Sequence, residues 1–497
     1  MYTLTKSKII TGLQCQKKLW FDVNEPIKGD SHLFHLGNRL GDFARTYYAI
    51  AGQTISLDGQ YAPELILQKT QEAISDPRVQ VIYEAAFLQM QTLVRVDVLK
   101  RLGNAWEVIE IKASTELKTL HIDDVSIQVA VMRASGIQIR KVKIGHINKE
   151  FIYEGNEQYA DLITEVDVTE EVNGKVNEVG QWIAELLPIA IKGAPIPKIE
   201  MGAWCNAPYV CLYQARCLMA YLPQAEHPIE ILPKIGKKMA QEWNAKGVFD
   251  IRELPVEALT NPIHQAIQKA HQTLQPWFDP EIIAQIKLMP WPRYFMDFET
   301  VQQGVPLIVG TRPYQAIPFQ WSVHRWDNVS QVLSITDGKS FLEFISPTMF
   351  RDFAQKLIDE LGSVGPIFVH HKPTERGVLK YLMEREDCAD LAPQIGAIID
   401  RLVDSLELVR KGFYTHQMGQ STGNSYSIKT LVEVIPTTVN YQEGNVGSGM
   451  DAQIAWFICT DPKSTQSEKD KWTKSVLNYC AKDTLAVADL IKHFETQ

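Results

Sequence analysis

A glutamate and a lysine two positions apart offer the first chemistry in this 497-residue sequence. They lie in residues 106–112, which alternate apolar and polar side chains like a half-buried strand, so Glu110 and Lys112 point to one face. A carboxylate beside an ammonium suits metal-assisted phosphodiester cleavage, because the acid binds a divalent cation and the lysine stabilises the attacking water or the developing charge. For such a pair taken alone, an ion pair on an edge strand is the commoner explanation.

Three further polar residues near this pair favour a site. Asp97 is a lone acid in another strand-like run, and a buried charge is costly unless it is paired or bound to a metal. A glycine-containing turn between the two runs predicts a hairpin that brings Asp97 to Glu110. Glu84 precedes this hairpin, and Gln128 follows it in a segment that we predict to be a helix packed beside the sheet.

An acid, then Glu-x-Lys, then a helical glutamine resembles the PD-(D/E)XK nucleases of the RecB type, over most of the first half of the chain. The resemblance implies a restriction-endonuclease-like domain in which Asp97 and Glu110 bind magnesium or manganese ions. It also implies that Glu84 is an additional ligand, that Lys112 is the catalytic lysine and that Gln128 is the helical motif residue.

The chain departs from this family at one step. Many relatives carry a metal-binding histidine in a Gly-x-x-x-His step near the start, where this chain has Gly41. His35 lies close by but out of register. The sequence leaves open whether His35 substitutes for the missing ligand or the metal has fewer protein ligands.

A second group of acids lies in the last third of the chain. Asp297 and Glu299 share one face of a strand-like run, where two carboxylates repel each other unless a cation lies between them. Tyr479 and Asp483 are four residues apart in a helical pattern and are therefore neighbours. These residue types, in this order, suit a second metal-dependent site.

Asp-x-Glu followed by Tyr-x-x-x-Asp resembles the DEDDy 3′–5′ exonucleases, which have an RNase H-like fold. The resemblance implies that Asp297, Glu299 and Asp483 hold two metal ions, while Tyr479 positions the attacking water.

The middle acid of the second site departs from the DEDDy pattern. Glu375 stands near the expected position, and Asp404 is a second candidate. Because of this departure, two hypotheses stay open for the C-terminal site: it cuts, or it holds substrate without cutting.

Four of the seven cysteines bracket the first region, with Cys15 before it and Cys205, Cys211 and Cys217 after it at equal intervals. Structural zinc usually shows a tight C-x2-C pair, which is missing here, whereas an iron–sulfur cluster accepts wider spacings. Zinc stays open as the alternative. The arrangement resembles the iron–sulfur RecB-like nucleases, including CRISPR-associated and AddB-type members, which implies that these four cysteines ligate a structural [4Fe-4S] cluster. The other three, including Cys480, are predicted to be small buried apolar residues.

Three regions position these residues, and together they predict an α/β fold class. A chain of this length needs more than one core. Residues 1–222 are predicted to form the RecB-like domain with the four-cysteine site. Residues 223–290 are predicted to form a helical connector, with lysines between 234 and 238 as candidate phosphate contacts. Residues 291–497 are predicted to form the RNase H-like domain.

Composition limits the classes of function. The net charge is −9, so any contact with DNA must use local basic patches. No apolar run approaches the roughly 20 residues of a membrane span, and the N-terminus lacks a signal-peptide core. Few cysteines in a long chain predict a reducing compartment. We therefore expect a cytoplasmic protein without membrane contact.

The whole chain resembles a bacterial family that fuses a RecB-like iron–sulfur nuclease domain to an RNase H-like domain, most clearly at residues 296–300, 310–314 and 317–320. The predicted function is metal-dependent hydrolysis of nucleic acid, with DNA of single-stranded character passing aromatic residues such as Trp20 and Phe21. Genome maintenance or defence would fit such an activity. Two alternatives stay open: only one site cuts while the other binds substrate, or the chain is a non-catalytic nucleic-acid-binding subunit.

Overall fold

The computed structural model describes residues 4–27, 31–59, 62–219, 225–421, 425–441 and 446–497. It has two compact units, each with helices packed on a sheet, which confirms the α/β fold class. Unit 1 comprises Met1–Tyr221 with Gln303–Gln315, and unit 2 comprises Leu222–Gln302 with Ala316–Gln497. Residues 223–290, predicted to form a connector, belong to unit 2. The side chain of His35 lies outside the described residues.

Unit 1 is built on one mixed sheet. Its strands are β1 Leu4–Thr5, β2 Thr54–Ser56, β3 Val81–Gln89, β4 Thr92–Leu102, β5 Ala105–Lys112, β6 Ile139–Ile147 and β7 Ile163–Asp167. In the described residues the strand order is β2-β3-β4-β5-β6-β7, and β1 pairs with β4. The predicted hairpin joins β4 to β5 as antiparallel neighbours, and Gly103 supplies the positive φ of +65° that its turn requires.

Seven helices accompany this sheet in the described part of unit 1. They are α1 Lys6–Gln14, α2 Gln16–Asn24, α3 Ser31–Tyr47, α4 Pro63–Ser75, α5 Thr119–Ala134, α6 Thr169–Leu186 and α7 Gln214–Met219. The side chains of α5 are buried almost throughout, and Val125 and Val129 join Val96 and Val108 of the sheet in one hydrophobic core. This packing fixes the position of α5 beside β4 and β5.

Unit 2 has a second mixed sheet and a short ribbon. Its strands are β8 Trp277–Phe278, β9 Arg293–Gln302, β10 Ala316–Trp326, β11 Lys339–Leu342, β12 Ile367–Val369, β13 Leu402–Asp404 and β14 Phe413–Tyr414. In the described residues the sheet order is β11-β10-β9-β12-β13, and β8 pairs with β14 separately. Strand β9 is therefore central, antiparallel to β10 and parallel to β12.

The described helices of unit 2 end with the longest one. They are α8 Gly236–Asn244, α9 Pro262–Thr273, α10 Pro280–Lys287, α11 Met349–Leu361, α12 Lys372–Glu384, α13 Ala392–Arg401, α14 Ser405–Gly412, α15 His416–Ser421, α16 Ile428–Leu431, α17 Gly449–Thr460 and α18 Gln466–Glu495. Helix α18 begins with a capping box between Thr465 and Glu468. It packs against β9 and β10 and presents Tyr479, Cys480 and Asp483 as buried residues.

The link between β9 and β10 belongs to unit 1 although both strands belong to unit 2. Backbone hydrogen bonds join Tyr153 to Thr311 and Gly310 at 3.0 and 2.8 Å, and the Tyr314 hydroxyl donates to the carbonyl of Ala113. Neither unit is therefore one continuous stretch of chain. Within the described residues, no helix combines the length and apolar character needed to cross a bilayer.

Candidate metal and catalytic sites

The structure brings together four of the residues predicted for the first site. The hairpin places Asp97 beside Glu110, and Asp97 Oδ2 accepts the backbone N–H of Ile111 at 2.8 Å. Lys112 Nζ lies 2.7 Å from Glu110 Oε1, as expected for side chains two positions apart on a strand. Gln128 Nε2 donates from α5 to Glu110 Oε2 at 2.6 Å. Glu110 is therefore held from two sides by the predicted lysine and glutamine.

Glu84, predicted as an additional ligand, lies at the margin of this group. Its Oε2 is 2.9 Å from Nε of Arg95, and its charge contributes to the raised pKa of Asp97. Glu84 also has a φ of +58° within β3, which is uncommon for a residue other than glycine. Such backbone strain persists where the surrounding structure imposes it, often beside functional groups.

Lys6 and Asp124 belong to the first site although the sequence reasoning missed them. Lys6 Nζ lies 2.6 Å from Glu110 Oε1 and 3.3 Å from Asp124 Oδ2, and Lys112 also contacts the Asp124 carboxylate. The signal for Asp124 was its position four residues before Gln128, which puts both on one helical face. Lys6 carried no comparable signal, because it reaches the site from a helix about 100 residues away in sequence.

Two ammonium groups neutralise the acids of the first site. Burial raises the pKa of Glu110, but Lys112 and Lys6 outweigh it and hold that pKa below its usual range. Burial lowers the pKa of Lys6, and the neighbouring acids reverse the shift, so that this pKa is raised. The pKa of Asp97 is raised by burial and by the charge of Glu110. The site is thus close to balanced in charge before any metal binds.

The four cysteines predicted to share a cofactor line one cavity in unit 1. Cys15 lies between α1 and α2, and Cys205, Cys211 and Cys217 lie on the segment that follows α6. All four are free thiols. Burial raises the pKa of the Cys211 and Cys217 thiols, a penalty that a bound metal removes because metal ligands are thiolates. The donor set therefore fits a metal cofactor held by four sulfur ligands.

Cys15, Cys205, Cys211 and Cys217 all lie in the described part of the chain, and all four line the same cavity. A single tetrahedral zinc ion holds its four ligands at one metal, with Zn–S bonds of about 2.3 Å, whereas an iron–sulfur cluster spreads its cysteine ligands over several irons. Both cofactors use four thiolates, so the donor set fits either.

Side-chain contacts also fasten α2 to the cysteine segment, and they overturn one prediction. Phe21 stacks on Tyr213 with ring centroids 4.9 Å apart, and the Tyr213 hydroxyl donates to Asp22 at 2.7 Å. Phe21 is only 6% exposed, and the Trp20 indole donates to the Ala194 carbonyl at 2.5 Å. The prediction that Phe21 stacks on nucleic-acid bases is therefore wrong, since its faces pack inside unit 1.

The structure also assembles the predicted second site. Asp297 and Glu299 on β9 and Cys480 on α18 each offer a ligand atom, and these three atoms lie within 4.8 Å of one another. Asp483 lies one helical turn from Tyr479, whose hydroxyl is near enough to lower the pKa of Asp483. The acids come from a central strand and a long helix, so their positions are fixed by the core of unit 2.

The two candidates for the middle acid of the second site lie near each other. The charge of Glu375 contributes to the raised pKa of both Asp297 and Glu299, and the charge of Asp404 contributes to the raised pKa of Glu375. Asp404 also caps α14, accepting the backbone N–H groups of Leu406 and Glu407 at 2.9 and 3.2 Å, and it accepts that of Lys372 at 3.0 Å. Each of its oxygens therefore accepts at least one backbone hydrogen bond. Glu375 is 3% exposed, and its Oε2 is buried without a hydrogen-bond partner in the described residues.

Burial and mutual repulsion dominate the electrostatics of the second site. Both effects raise the pKa of Asp297 and of Glu299 well above the ordinary range, with the charge of Asp483 as the second cause for each. The charge of Glu375 adds to both shifts, which places this residue close to the pair. Burial raises the pKa of Glu375 itself to about 8 and that of Asp483 to about 6. The group therefore carries a strong excess of acid.

Two side chains near the second site, Tyr441 and Cys480, were not predicted as members, and Lys429 is a third neighbour. Tyr441 donates its hydroxyl to Asp483, and Lys429 Nζ lies 4.8 Å from the ring centre of Tyr479. Lys429 lies in a short helix that Ser427 caps. Cys480 is buried as predicted, but its thiol lies 3.6 Å from Asp297 Oδ2 and is not enclosed by apolar groups alone. Its position directly after Tyr479 was the available signal.

The lysines of residues 234–238 remain candidates only. Lys234 and Lys238 are exposed, and the side chain of Lys237 lies outside the described residues. Their contact with phosphate stays a prediction.

Comparison with known families covers part of unit 2 and the Gln303–Gln315 segment of unit 1. Residues 294–424 match a family model described as a domain of unknown function, DUF2779. Among curated proteins, none matches the chain. The matched stretch includes Asp297, Glu299 and Glu375 but ends before Tyr479 and Asp483, so it carries only part of the second site.

Proposed function

We propose that this chain is a metal-dependent nuclease with one phosphodiester-cleaving site in each unit. The observation that carries the proposal is the acid group of unit 2, in which Glu299 and Asp483 are buried, Asp297 is half-buried, and all three lie near Tyr479. Like charges buried together are unfavourable without a cation, and carboxylate oxygens are the ligands that magnesium and manganese prefer.

Each member of the unit 2 site has a separate task in this proposal. Divalent ions bound there would polarise the phosphate and activate water. Asp297, Glu299 and Asp483 hold the cations, and the Tyr479 hydroxyl orients the attacking water. Lys429, half-buried beside the Tyr479 ring, binds a non-bridging oxygen of the phosphate.

The unit 1 site performs the same reaction with a different set of side chains. Asp97 and Glu110 bind the cation, and Gln128 orients Glu110 through its hydrogen bond. Lys112 stabilises the attacking water or the charge that develops on the phosphate. Glu84 joins as a ligand on releasing Arg95.

The four-cysteine cavity holds a [4Fe-4S] cluster with a structural role in this proposal. Four thiol ligands in one cavity, without a tight C-x2-C pair in the sequence, support the cluster over zinc. The ligands join the N-terminal helices to a segment about 190 residues later, and bridging so long a loop restricts the unfolded chain. Free thiols fit a reducing compartment, so we place the protein in the cytoplasm.

A second candidate function is a nuclease that cuts in unit 2 only. Lys6 favours it, because this ammonium already binds Glu110 at 2.6 Å, where a metal ion would compete with it. Unit 1 would then bind nucleic acid without cleaving it. The proposed substrate in both cases is DNA with single-stranded character, and RNA is the alternative that the assay must compare.

Cleavage of end-labelled single- and double-stranded DNA and RNA tests the proposal. The protein is purified without oxygen and supplied with magnesium or manganese, as wild type, Lys112→Ala, Asp297→Ala and the double variant. Exposed residues of the same types provide the controls Lys149→Ala in unit 1 and Asp359→Ala in unit 2.

The outcomes separate the candidate functions. Two activities, one lost in Lys112→Ala and the other in Asp297→Ala, support a nuclease with two sites. Loss of all cleavage in Asp297→Ala alone supports the second candidate. If neither substitution changes cleavage while both controls behave as wild type, the assigned sites are wrong, and retained DNA binding would then indicate a binding subunit.

A further inference from the structure

Cys480 adds a sulfur atom to the acid group of unit 2, and sulfur is a metal ligand that magnesium does not use. Its Sγ lies 3.6 Å from Asp297 Oδ2, and the thiol, one Asp297 oxygen and one Glu299 oxygen all lie within 4.8 Å of one another. The residue is fully buried on α18, in the core of unit 2. Its position is therefore fixed by the same packing that fixes Tyr479 and Asp483.

The distance between sulfur and oxygen fits a shared ion. A tetrahedral ion about 2.3 Å from sulfur and about 2.1 Å from oxygen separates those two ligand atoms by about 3.6 Å. A second observation points to a ligand in the same place. Glu375 is only 3% exposed, and its Oε2 lacks a hydrogen-bond partner in the described residues. The charge of Glu375 acts on both Asp297 and Glu299, so its carboxylate lies near the pair.

We propose that Cys480 is a metal ligand and that unit 2 binds a thiophilic divalent ion of the zinc, cobalt or ferrous iron class with Asp297 and Glu299. Magnesium takes oxygen ligands, whereas thiolates select softer ions. When the metal–sulfur bond forms, the Cys480 thiol gives its proton to solvent. The site thereby loses the single charge of the proton and gains the two charges of the metal ion. This inference rests on the proposed metal site of unit 2 and specifies its ion.

Cobalt binding provides a test that does not depend on cleavage. Cobalt(II) is titrated into the full-length protein, whose four-cysteine cavity already holds its iron–sulfur cluster. The thiolate-to-cobalt absorption in the near ultraviolet is recorded as a difference spectrum, and equilibrium dialysis counts the bound cobalt ions. The variants are Cys480→Ser and Cys480→Ala, with Cys388→Ser as the matched control, since Cys388 is also fully buried in unit 2 but lies beside Asp387 and away from the acid group.

Wild type and Cys388→Ser are expected to show the thiolate absorption, and both Cys480 variants are expected to lose it. Cadmium affinity should fall at least about 30-fold in the Cys480 variants, while magnesium affinity changes less than about threefold, because only the soft ion uses sulfur. Asp297→Asn should lose the ions that bind in unit 2, so that dialysis counts fewer bound ions per chain than in wild type. Circular dichroism identifies a variant that fails to fold, and the second Cys480 substitution then supplies the result.

Two failures are distinguishable. If cobalt binds with unchanged absorption in both Cys480 variants, or if cadmium and magnesium affinities fall equally, Cys480 is not a ligand, and the proposed nuclease stands with oxygen ligands alone. If Asp297→Asn binds as many ions as wild type and cleavage does not depend on Asp297, the metal site itself is wrong and the nuclease proposal for unit 2 fails with it.

Discussion

The two candidate sites bury acids to a similar extent but treat their charge in opposite ways. Glu110 in unit 1 is 2% exposed and is paired with both Lys6 and Lys112. Glu299 in unit 2 is 6% exposed, and its surroundings include Asp483 and Glu375, with Lys429 as a partial counter-charge. In the first site, ammonium groups of the protein itself therefore balance the charge of the acids. In the second site, the acids repel one another, and a bound metal would relieve that repulsion.

This difference in charge predicts how a metal would bind in each site. In unit 1 the incoming cation must displace an ammonium from Glu110, so part of its binding free energy is spent on breaking an ion pair. In unit 2 the cation meets acids whose pKa values are raised, and binding replaces protons with metal. We expect metal-free unit 2 to be the less stable of the two sites and the more strongly stabilised by metal.

The largest expected effect comes from one substitution made in both sites. Glu110→Gln removes one of the two carboxylates that the half-buried Lys6 and Lys112 share and leaves only Asp124 between them, and we expect it to destabilise unit 1 by about 3 kcal/mol. Glu299→Gln removes repulsion, and we expect it to stabilise metal-free unit 2 by about 1 kcal/mol. Hydrogen–deuterium exchange in chelator, followed in peptides of α5 and α18, reports each unit separately. Shifts of the same sign in both units would contradict the comparison.

Adding metal should produce the next largest effect. Manganese at about 100 times its dissociation constant is expected to stabilise unit 2 by about 2.7 kcal/mol, and to stabilise unit 1 by less. The measurement is again exchange in peptides of α18 and α5. Asp297→Asn should abolish the effect in unit 2, and Asp359→Asn, an exposed acid of the same unit, should preserve it. Equal stabilisation of the units would show that Lys6 does not compete with the ion.

Glu375 should account for part of the pH dependence of metal-free unit 2, beside Asp297, Glu299 and Asp483, whose pKa values are also raised. Its pKa is raised from 4.5 to about 8 in the folded state, so the stability that its proton contributes is fully present below pH 4.5 and is lost as pH rises through 8. We expect the stability of unit 2 to fall over that range. Glu375→Gln should make this fall shallower, while exposed Glu386→Gln should leave it in place, as measured by thermal unfolding in chelator. An equally steep fall in Glu375→Gln would assign it to the other acids.

The smallest predicted effect tests the competition in unit 1. Lys6→Gln removes the ammonium that lies 2.6 Å from Glu110, so we expect manganese to bind unit 1 about tenfold more tightly, which corresponds to about 1.4 kcal/mol. The measurement is manganese titration of a protein that carries Asp297→Asn, in which unit 2 binding is removed. Lys149→Gln is the control. Weaker binding in Lys6→Gln would mean that Lys6 supports the metal site.

The sequence predicted the parts of each site that local geometry controls. Glu110 and Lys112 share a strand face, Asp97 meets them across a short hairpin, and Tyr479 and Asp483 share a helical face. In each case periodicity or a tight turn determines the neighbour. The predicted α/β class followed from the same alternation of strand-like and helix-like segments.

Local sequence patterns did not predict the residues that long-range packing brings into the sites. Lys6 lies 104 positions from Glu110, and Tyr441 lies 42 positions from Asp483. Phe21 failed for another reason: it has the aromatic ring that base stacking requires, but that ring is buried and stacks on Tyr213. Such competition for one side chain becomes visible only when its neighbours are known.

The segment Gln303–Gln315 limits how the gene for this protein can be divided. A gene fragment that ends at residue 221 encodes unit 1 without this segment and so without the Tyr314 hydroxyl on Ala113, the residue after Lys112. A fragment that begins at residue 222 carries the segment without the surface on which it packs. Neither fragment can be exchanged between related genes as a complete unit. Recombination between residues 221 and 222 would combine the Gln303–Gln315 segment of one protein with the unit 1 surface of another. The two units are therefore expected to be inherited, and to diversify, as a pair.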